Sequence, residues 1–92
     1  MYVLRVEHPV PDFDAWKQAF DSDPVGRQRG GVRRYSIMRA VDDPNHVLID
    51  LEFESVSEAE AFLERLREMW SRVEVMRDPK GRVVEQVESK AP

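Results

Sequence analysis

Residues 46–54, HVLIDLEFE, contain the pattern that decides the fold. Apolar side chains occupy every second position of this stretch, and most of the positions between them are acidic. The apolar row is Val47, Ile49, Leu51 and Phe53, and the alternate row is Leu48, Asp50, Glu52 and Glu54. A repeat of two that is rich in β-branched and aromatic residues predicts a strand with one face in the core.

Two strands are predicted before this one. The first covers about Tyr2–His8, which alternates in the same way and is followed by Pro9 and Pro11, neither of which can donate a hydrogen bond to a ladder. The second covers about Val32–Ala40. Between it and residues 46–54 lies the segment Asp42–Asn45, whose aspartates, proline and asparagine favour a tight turn. The second and third strands are therefore predicted to form a hairpin.

A first helix is predicted between the first two strands. Asp12 is suited to cap it, and Phe13, Trp16 and Phe20 recur at helical spacing. The pair Asp23-Pro24 reads as a new cap with proline at the first helical position, which predicts a short helical piece over Pro24–Arg29. Gly30-Gly31 would end that piece, since glycine accepts the left-handed turn.

The second helix has the clearest start and the clearest apolar face. Ser57 followed by Glu60 predicts a capping box. The predicted buried face is Ala59, Phe62, Leu63, Leu66 and Trp70. Residues 71–81 fit either a short helix or a loop that ends in the turn Asp78–Gly81, and a fourth strand is predicted over about Arg82–Glu88. Residues 89–92 are expected to fray.

The element order β-α-β-β-α-β predicts one α+β domain over residues 1–88, with a ferredoxin-like antiparallel sheet and both helices on one face. Aligning the apolar rows of the first and third strands places Leu4 opposite Leu51 under the helices and Arg5 opposite Asp50 on the other face. We call that other side the reverse face. Its predicted members are Val3, Arg5, Arg34, Met38, Leu48, Asp50 and Glu52. Such a mixed, charge-paired surface fits packing against a second sheet, or a solvated face with incidental ion pairs.

Four segments resemble the dimeric α/β barrel superfamily, which includes antibiotic-biosynthesis monooxygenase-like proteins and small proteins often named polyketide cyclases. The segments are DFDAWKQAFDSDP (12–24), GGVRRYSIMR (30–39), DDPNHVLIDLEFESVSEAEAFLERL (42–66) and MW (69–70). The resemblance implies that two ferredoxin-like subunits pair sheet to sheet as a homodimer. It also implies a ligand cavity between sheet and helices, and chemistry that needs no metal or organic cofactor.

The composition argues against several other classes of protein. A net charge of −4 disfavours binding to the nucleic-acid backbone. The chain has no cysteine, no apolar stretch near the length that spans a membrane and no signal-peptide pattern, so we expect a cytoplasmic protein. One basic cluster stands out, formed by Arg27, Arg29, Arg33, Arg34 and Arg39. It fits a solvated, ion-paired edge, or a docking point for an anionic ligand.

Two histidines are the obvious titratable candidates. His8 is predicted to face the helices and His46 the reverse face, so a shared metal site is not expected, and neither histidine lies on a predicted helix as a haem ligand of this superfamily would. His8 could act as an acid or base in a pocket, because its pKa lies near neutrality. It could equally close the end of the core without taking part in chemistry. Asp50 and Glu52 could share a proton or a cation, but the opposing arginines explain them more simply.

Aromatic residues would fill the space between sheet and helices. They are Trp16, Phe20, Tyr35, Phe62 and Trp70. They fit plain core packing, or a flat cavity for a planar ligand. Two functions follow: a cofactor-independent monooxygenase- or cyclase-like enzyme acting on an aromatic or polyketide-like molecule, with His8 as proton carrier, or a non-catalytic dimer that binds a ligand or assists other proteins.

Overall fold

The computed structural model describes residues 1–73 and 78–92. Within them lie four strands and two helices in the order β1, α1, β2, β3, α2, β4. Their bounds are β1 Tyr2–Pro9, α1 Phe13–Asp21, β2 Arg34–Ala40, β3 Asp43–Phe53, α2 Val56–Ser71 and β4 Lys80–Glu85. The sheet is antiparallel with strand order β2-β3-β1-β4, so the ferredoxin-like prediction is confirmed.

The predicted register is also confirmed. Leu4 lies opposite Leu51, and Arg5 opposite Asp50. Because side chains alternate between faces, this register sends the whole apolar row of β3 into the core. Val47, Leu51 and Phe53 are each no more than 3% exposed. The core joins this row to β1 and to the buried face of α2, whose five buried residues are the five predicted ones.

Four local predictions were wrong, the fourth being the bounds of β4, which covers Lys80–Glu85 instead of about Arg82–Glu88. The hairpin turns at Val41 and Asp42, so the predicted turn residues 43–45 belong to β3, where the pairing shifts register after Arg39. The short helix over Pro24–Arg29 is a series of turns, because Gly26 takes a left-handed φ of 67° that interrupts a right-handed helix.

The third error concerns the start of α2. Its N-cap is Ser55, whose Oγ accepts the backbone N–H of Glu58 at 3.2 Å. The sequence offers two overlapping Ser-x-x-Glu patterns, and the earlier one is used because β3 ends at Phe53. Strand β4 likewise begins two residues earlier than predicted, at Lys80. Of the segment 71–81, Ser71 ends α2, and residues 74–77 lie outside the described residues.

The two helices differ in how they pack. The backbone of α2 lies close to β1, β3 and β4, whereas the backbone of α1 lies close to β3 alone among the described elements. None of the nine residues of α1 is buried, although its apolar stripe faces the sheet. No described helix combines the length and apolar character needed to cross a bilayer.

Candidate ligand cavity

A cavity of about 420 Å³ lies between α1, α2 and the centre of the sheet. Strand residues form its floor, and the two helices and the loop after α1 form its walls. The lining consists of Val6, His8, Pro9, Val10, Pro11, Asp12, Ala15, Trp16, Ala19, Phe20, Pro24, Val25, Arg27, Ile49, Leu51, Phe62, Leu66, Met69, Trp70 and Val73. Four of the five aromatic residues predicted for a pocket are in this set.

Helix α1 is held at its ends and leaves the cavity beneath its middle. At its start, Asp12 accepts the Ala15 N–H at 3.0 Å, and the Phe13 N–H donates to Asn45 Oδ1 at 3.0 Å. At its end, Arg27 Nη1 donates to the carbonyl oxygen of Phe20 at 2.7 Å. These contacts fix α1 without close packing of its apolar stripe, which leaves room for a ligand.

The aromatic wall on α1 is a continuous row. The ring centroids of Trp16 and Phe20, which line the cavity, are 5.2 Å apart, and Phe13 extends the row outside the lining with its centroid 5.8 Å from that of Trp16. Trp70 of α2 faces this row across His8, whose ring centroid lies 6.2 Å from each tryptophan in edge-to-face geometry. Such walls suit the flat faces of a planar molecule.

His8 brings the titratable imidazole to the cavity. Its Nδ1 lies 3.1 Å from the carbonyl oxygen of Pro9, which can only accept, so Nδ1 carries the proton and Nε2 of the neutral ring is an acceptor. Nε2 has no hydrogen-bond partner among the described residues. His8 lines the cavity, although the residue is only 2% exposed.

The pKa of His8 is lowered from its ordinary value, chiefly because burial disfavours the imidazolium. The hydrogen bond to Pro9 opposes this effect, and an electrostatic contribution from His46 adds to it. The ring is thus neutral at neutral pH. A neutral imidazole with an open Nε2 can remove a proton from a bound molecule.

Arg27 is a lining residue that the sequence did not single out. It was one of five clustered arginines, and nothing in its neighbours separated it from the rest. Folding places its guanidinium carbon 3.9 Å from the centroid of the Phe20 ring, and its side chain is only 15% exposed. It is the sole lysine or arginine among the lining residues that the structure describes.

Tyr35 differs from its prediction as a pocket residue. It contacts Phe20 with ring centroids 5.2 Å apart, but it lies outside the cavity lining and is 43% exposed. The reason is that the backbone of α1 stays away from β2 and only side chains bridge the gap, so the helix-facing side of that edge strand is largely uncovered. Tyr35 therefore supports Phe20 from outside the cavity.

The reverse face carries the predicted charge pairing. Arg5 Nε and Nη2 donate to the two carboxylate oxygens of Asp50 at 3.0 and 3.1 Å, and this hydrogen bond raises the pKa of Arg5. On the same face, the apolar side chain of Met38 is 41% exposed. Val3, by contrast, is already buried at 9% exposure within one chain.

The remaining members of this face follow the predicted pairing, with Arg34 opposite Glu52 and Met38 opposite Leu48. At the end of the sheet, His46 Nε2 lies 2.8 Å from Glu7 Oε2. The two histidines are therefore on opposite faces, as predicted. In the part of the chain that the structure describes, no cluster of three histidine, cysteine or acidic residues could hold a metal ion.

Fold and cavity together define a ferredoxin-like domain with a small-molecule-sized space under its first helix. No family model matches the chain, and no curated protein matches it by sequence. Solved structures do match. One is the "Putative antibiotic biosynthesis monooxygenase from Nitrosomonas europaea", with 23% identity and a TM-score of 0.69 over 96% of this chain and 100% of that one.

Two other solved structures show the same fold. A dimeric ferredoxin-like protein from an uncultured marine organism has 8% identity and a TM-score of 0.68, with each chain fully covered. Rv0793 from Mycobacterium tuberculosis has 15% identity and a TM-score of 0.68 over 99% of this chain and 100% of that one. The resemblance inferred from the sequence is thereby confirmed at the level of the fold.

Proposed function

We propose that this protein is a homodimer that binds a planar aromatic or polyketide-like molecule in the cavity under α1. We further propose that it acts on that molecule as a cofactor-independent monooxygenase- or cyclase-like enzyme, with His8 as the base. The observation that carries the proposal is a neutral histidine with an open Nε2 in the wall of an aromatic cavity of about 420 Å³.

The size and lining of the cavity support a small-molecule ligand. Sites for such ligands are mostly apolar, with a few polar groups that fix orientation, and typically measure about 300–1,000 Å³. Here Trp16, Phe20 and Trp70 supply flat apolar surface, and His8 and Arg27 supply polar groups. An aromatic ligand would bury its faces and direct its acidic group to Nε2.

Both reaction classes begin with the same step, in which His8 Nε2 takes a proton from an acidic C–H or O–H. In a cyclase, the carbanion attacks a carbonyl carbon of the same molecule, and the alkoxide recovers a proton from the imidazolium. In an oxygenase, the electron-rich anion reduces dioxygen, and a CH₂ group becomes C=O as one oxygen atom leaves in water. The substrate supplies all the electrons, so the step balances without an added reductant.

Homodimer formation is supported by the reverse face and by the solved structures described as dimeric ferredoxin-like proteins. Met38 and Leu48 lie between ion-paired side chains on that face. In a sheet-to-sheet dimer the apolar residues would leave water, and the Arg5–Asp50 pair would be buried with its charges already matched.

Dioxygen uptake with anthrone, a planar ketone with an acidic CH₂ group, tests the role of His8. The His8→Gln variant should lose rate by about 10²–10⁴-fold, the usual contribution of a positioned base. His46→Gln is the matched control, since its imidazole lies on the opposite face, and at pH 8 it should keep the wild-type rate. Light scattering should return twice 10.8 kDa for all three proteins.

Equal rates for His8→Gln and wild type would show that His8 is not the base. Saturable anthrone binding without turnover would favour the second candidate, a non-catalytic ligand-binding dimer. The observation in favour of that candidate is that Nε2 of His8 has no polar side-chain partner among the described residues, so no second group is present to share the proton.

A further inference from the structure

Arg27 lies where the cavity meets the surface. Apart from lining the cavity, it lines an open hollow on the outside of the loop after α1. Three more members of the basic cluster, Arg29, Arg33 and Arg34, line that hollow, and none of these three lines the cavity. Arg27 is thus the point at which a surface rich in positive charge continues into an apolar space.

The guanidinium of Arg27 is only partly satisfied. Its Nη1 donates to the Phe20 carbonyl oxygen at 2.7 Å and lies 3.6 Å from Asp23 Oδ1. Its Nε and Nη2 have no acceptor among the described residues, and the side chain is only 15% exposed.

This arrangement is fixed in place before any ligand binds. The Arg27 backbone N–H donates to Asp23 Oδ1 at 2.9 Å, and its carbonyl oxygen accepts the Val32 N–H at 3.0 Å. The guanidinium carbon lies 3.9 Å from the Phe20 centroid and 4.9 Å from that of Tyr35. Little side-chain freedom remains to be lost on binding, which favours affinity.

Asp23 pairs with Arg27 through Nη1 alone, so the two remaining donors of this largely dehydrated cation favour a further anionic partner. The one other formally charged lining residue that the structure describes, Asp12, is at the opposite end of α1 and is occupied as the helix cap. Arginine presents two parallel N–H groups that match a carboxylate. The row of Trp16 and Phe20 connects His8 at one end to Arg27 at the other.

We infer that the natural ligand of the cavity is an aromatic acid whose carboxylate is bound by Arg27 while its ring system lies along Trp16 and Phe20. The inference rests on the proposed function, because it assumes that the cavity binds a ligand, and it adds the ligand's charge and orientation. The outer arginines would attract such an anion to the cavity entrance.

Two probes of matched shape test the inference: 2-naphthoate, which is anionic, and 2-naphthamide, which is neutral. Isothermal titration calorimetry on the full chain should show naphthoate binding roughly 10- to 100-fold more tightly than the amide, the range for a charge-assisted hydrogen-bonded pair. Arg27→Gln should remove this preference and leave amide affinity within about threefold, since glutamine can still donate to the Phe20 carbonyl oxygen.

Arg29→Gln is the matched control, because it removes the same charge from the hollow and should keep most of the preference. A variant that merely loosened α1 would weaken both probes equally, so the ratio of affinities reports on charge recognition. The inference would be overturned if Arg27→Gln left the ratio of the two affinities unchanged, or if the wild type bound the amide without any preference for naphthoate. Neither result would contradict the proposal that the cavity binds a ligand. Failure of the wild type to bind either probe would overturn the cavity proposal as well.

Discussion

Helices α1 and α2 look alike in sequence and behave differently in the structure. Each has a side-chain cap and an apolar stripe at helical spacing. Helix α2 buries five residues against three strands, whereas α1 buries none and its backbone lies close to one strand. The difference shows that an apolar stripe marks the side a helix turns to the protein, and does not fix how closely it packs there.

Both helices line the cavity, but only α2 also supplies fully buried core residues. Phe62 of α2 is 1% exposed and packs against Phe53 with ring centroids 5.6 Å apart. Trp16 of α1 is only partly buried, and its inner face looks into the cavity. Closely packed residues contribute to the free energy of unfolding, and residues beside an open space contribute mainly when a ligand fills it.

The largest expected effect is a difference in stability between a variant of α2 and a variant of α1. Phe62→Ala should lower the free energy of unfolding by about 3–5 kcal/mol, the usual cost of removing a buried phenylalanine. Trp16→Ala should cost less than about half of that, since its surroundings are already open. Urea denaturation measures both, and equal costs for the two variants would show that α1 belongs to the core as fully as α2.

A smaller effect concerns His8, which lies between Trp16 of α1 and Trp70 of α2. Its pKa is lowered in the folded state, so below pH 6.5 the unfolded chain binds the extra proton first. The free energy of unfolding should therefore fall as pH drops through 6.5, and the fall should level off below the folded-state pKa.

Urea midpoints at several pH values between 8 and 5 measure this contribution, with His8→Gln as the reference that lacks it. The wild type should lose more stability than the variant over that interval. If Trp16 contributes to the burial of the ring, Trp16→Ala should show an intermediate pH dependence. Parallel curves for wild type and His8→Gln would mean that the folded protein leaves His8 unperturbed.

The smallest expected effect is the loss of stability when the N-cap residue of one of the two helices is replaced. Ser55→Ala removes the cap of α2 and should cost about 1 kcal/mol in global stability. Asp12→Ala should cost less globally, because α1 is held mainly at its ends and can open locally. Hydrogen exchange should instead show faster exchange of the α1 amides in Asp12→Ala. Ser57→Ala serves as the control and should change little, since Ser57 does not cap the helix.

Sequence patterns were sufficient to predict the order and register of the strands, but they did not predict the full lining of the cavity. The register could be predicted because a slip of one residue would have reversed every side chain of β3 between core and reverse face. The position of the hairpin turn could not be predicted, because it depends on a register shift after Arg39. The residues of the segment Asp42–Asn45 do not indicate that shift. The choice between Ser55 and Ser57 likewise depended on where β3 ends.

The sequence predicted the aromatic residues of the candidate site but did not predict that Arg27 belongs to it. Trp16, Phe20, Phe62 and Trp70 follow from helical spacing, which is a local property. Arg27 depends on the path of the loop from Pro24 to Arg33, and that path depends on the turn at Gly26. Local spacing could not distinguish Arg27 from the arginines that point to solvent.

Gly30 links the loop that carries Arg27 to the body of α2. A Cβ atom at this position would lie 2.5 Å from the ring of Phe62 and would also meet the guanidinium of Arg65, so no larger residue fits without moving the loop. An evolving lineage that altered Gly30 would disturb its most buried helix and its ligand preference in one mutational step. New specificities should therefore arise through loop residues other than Gly30 and Gly26, since the left-handed backbone at Gly26 also fixes the path of the loop.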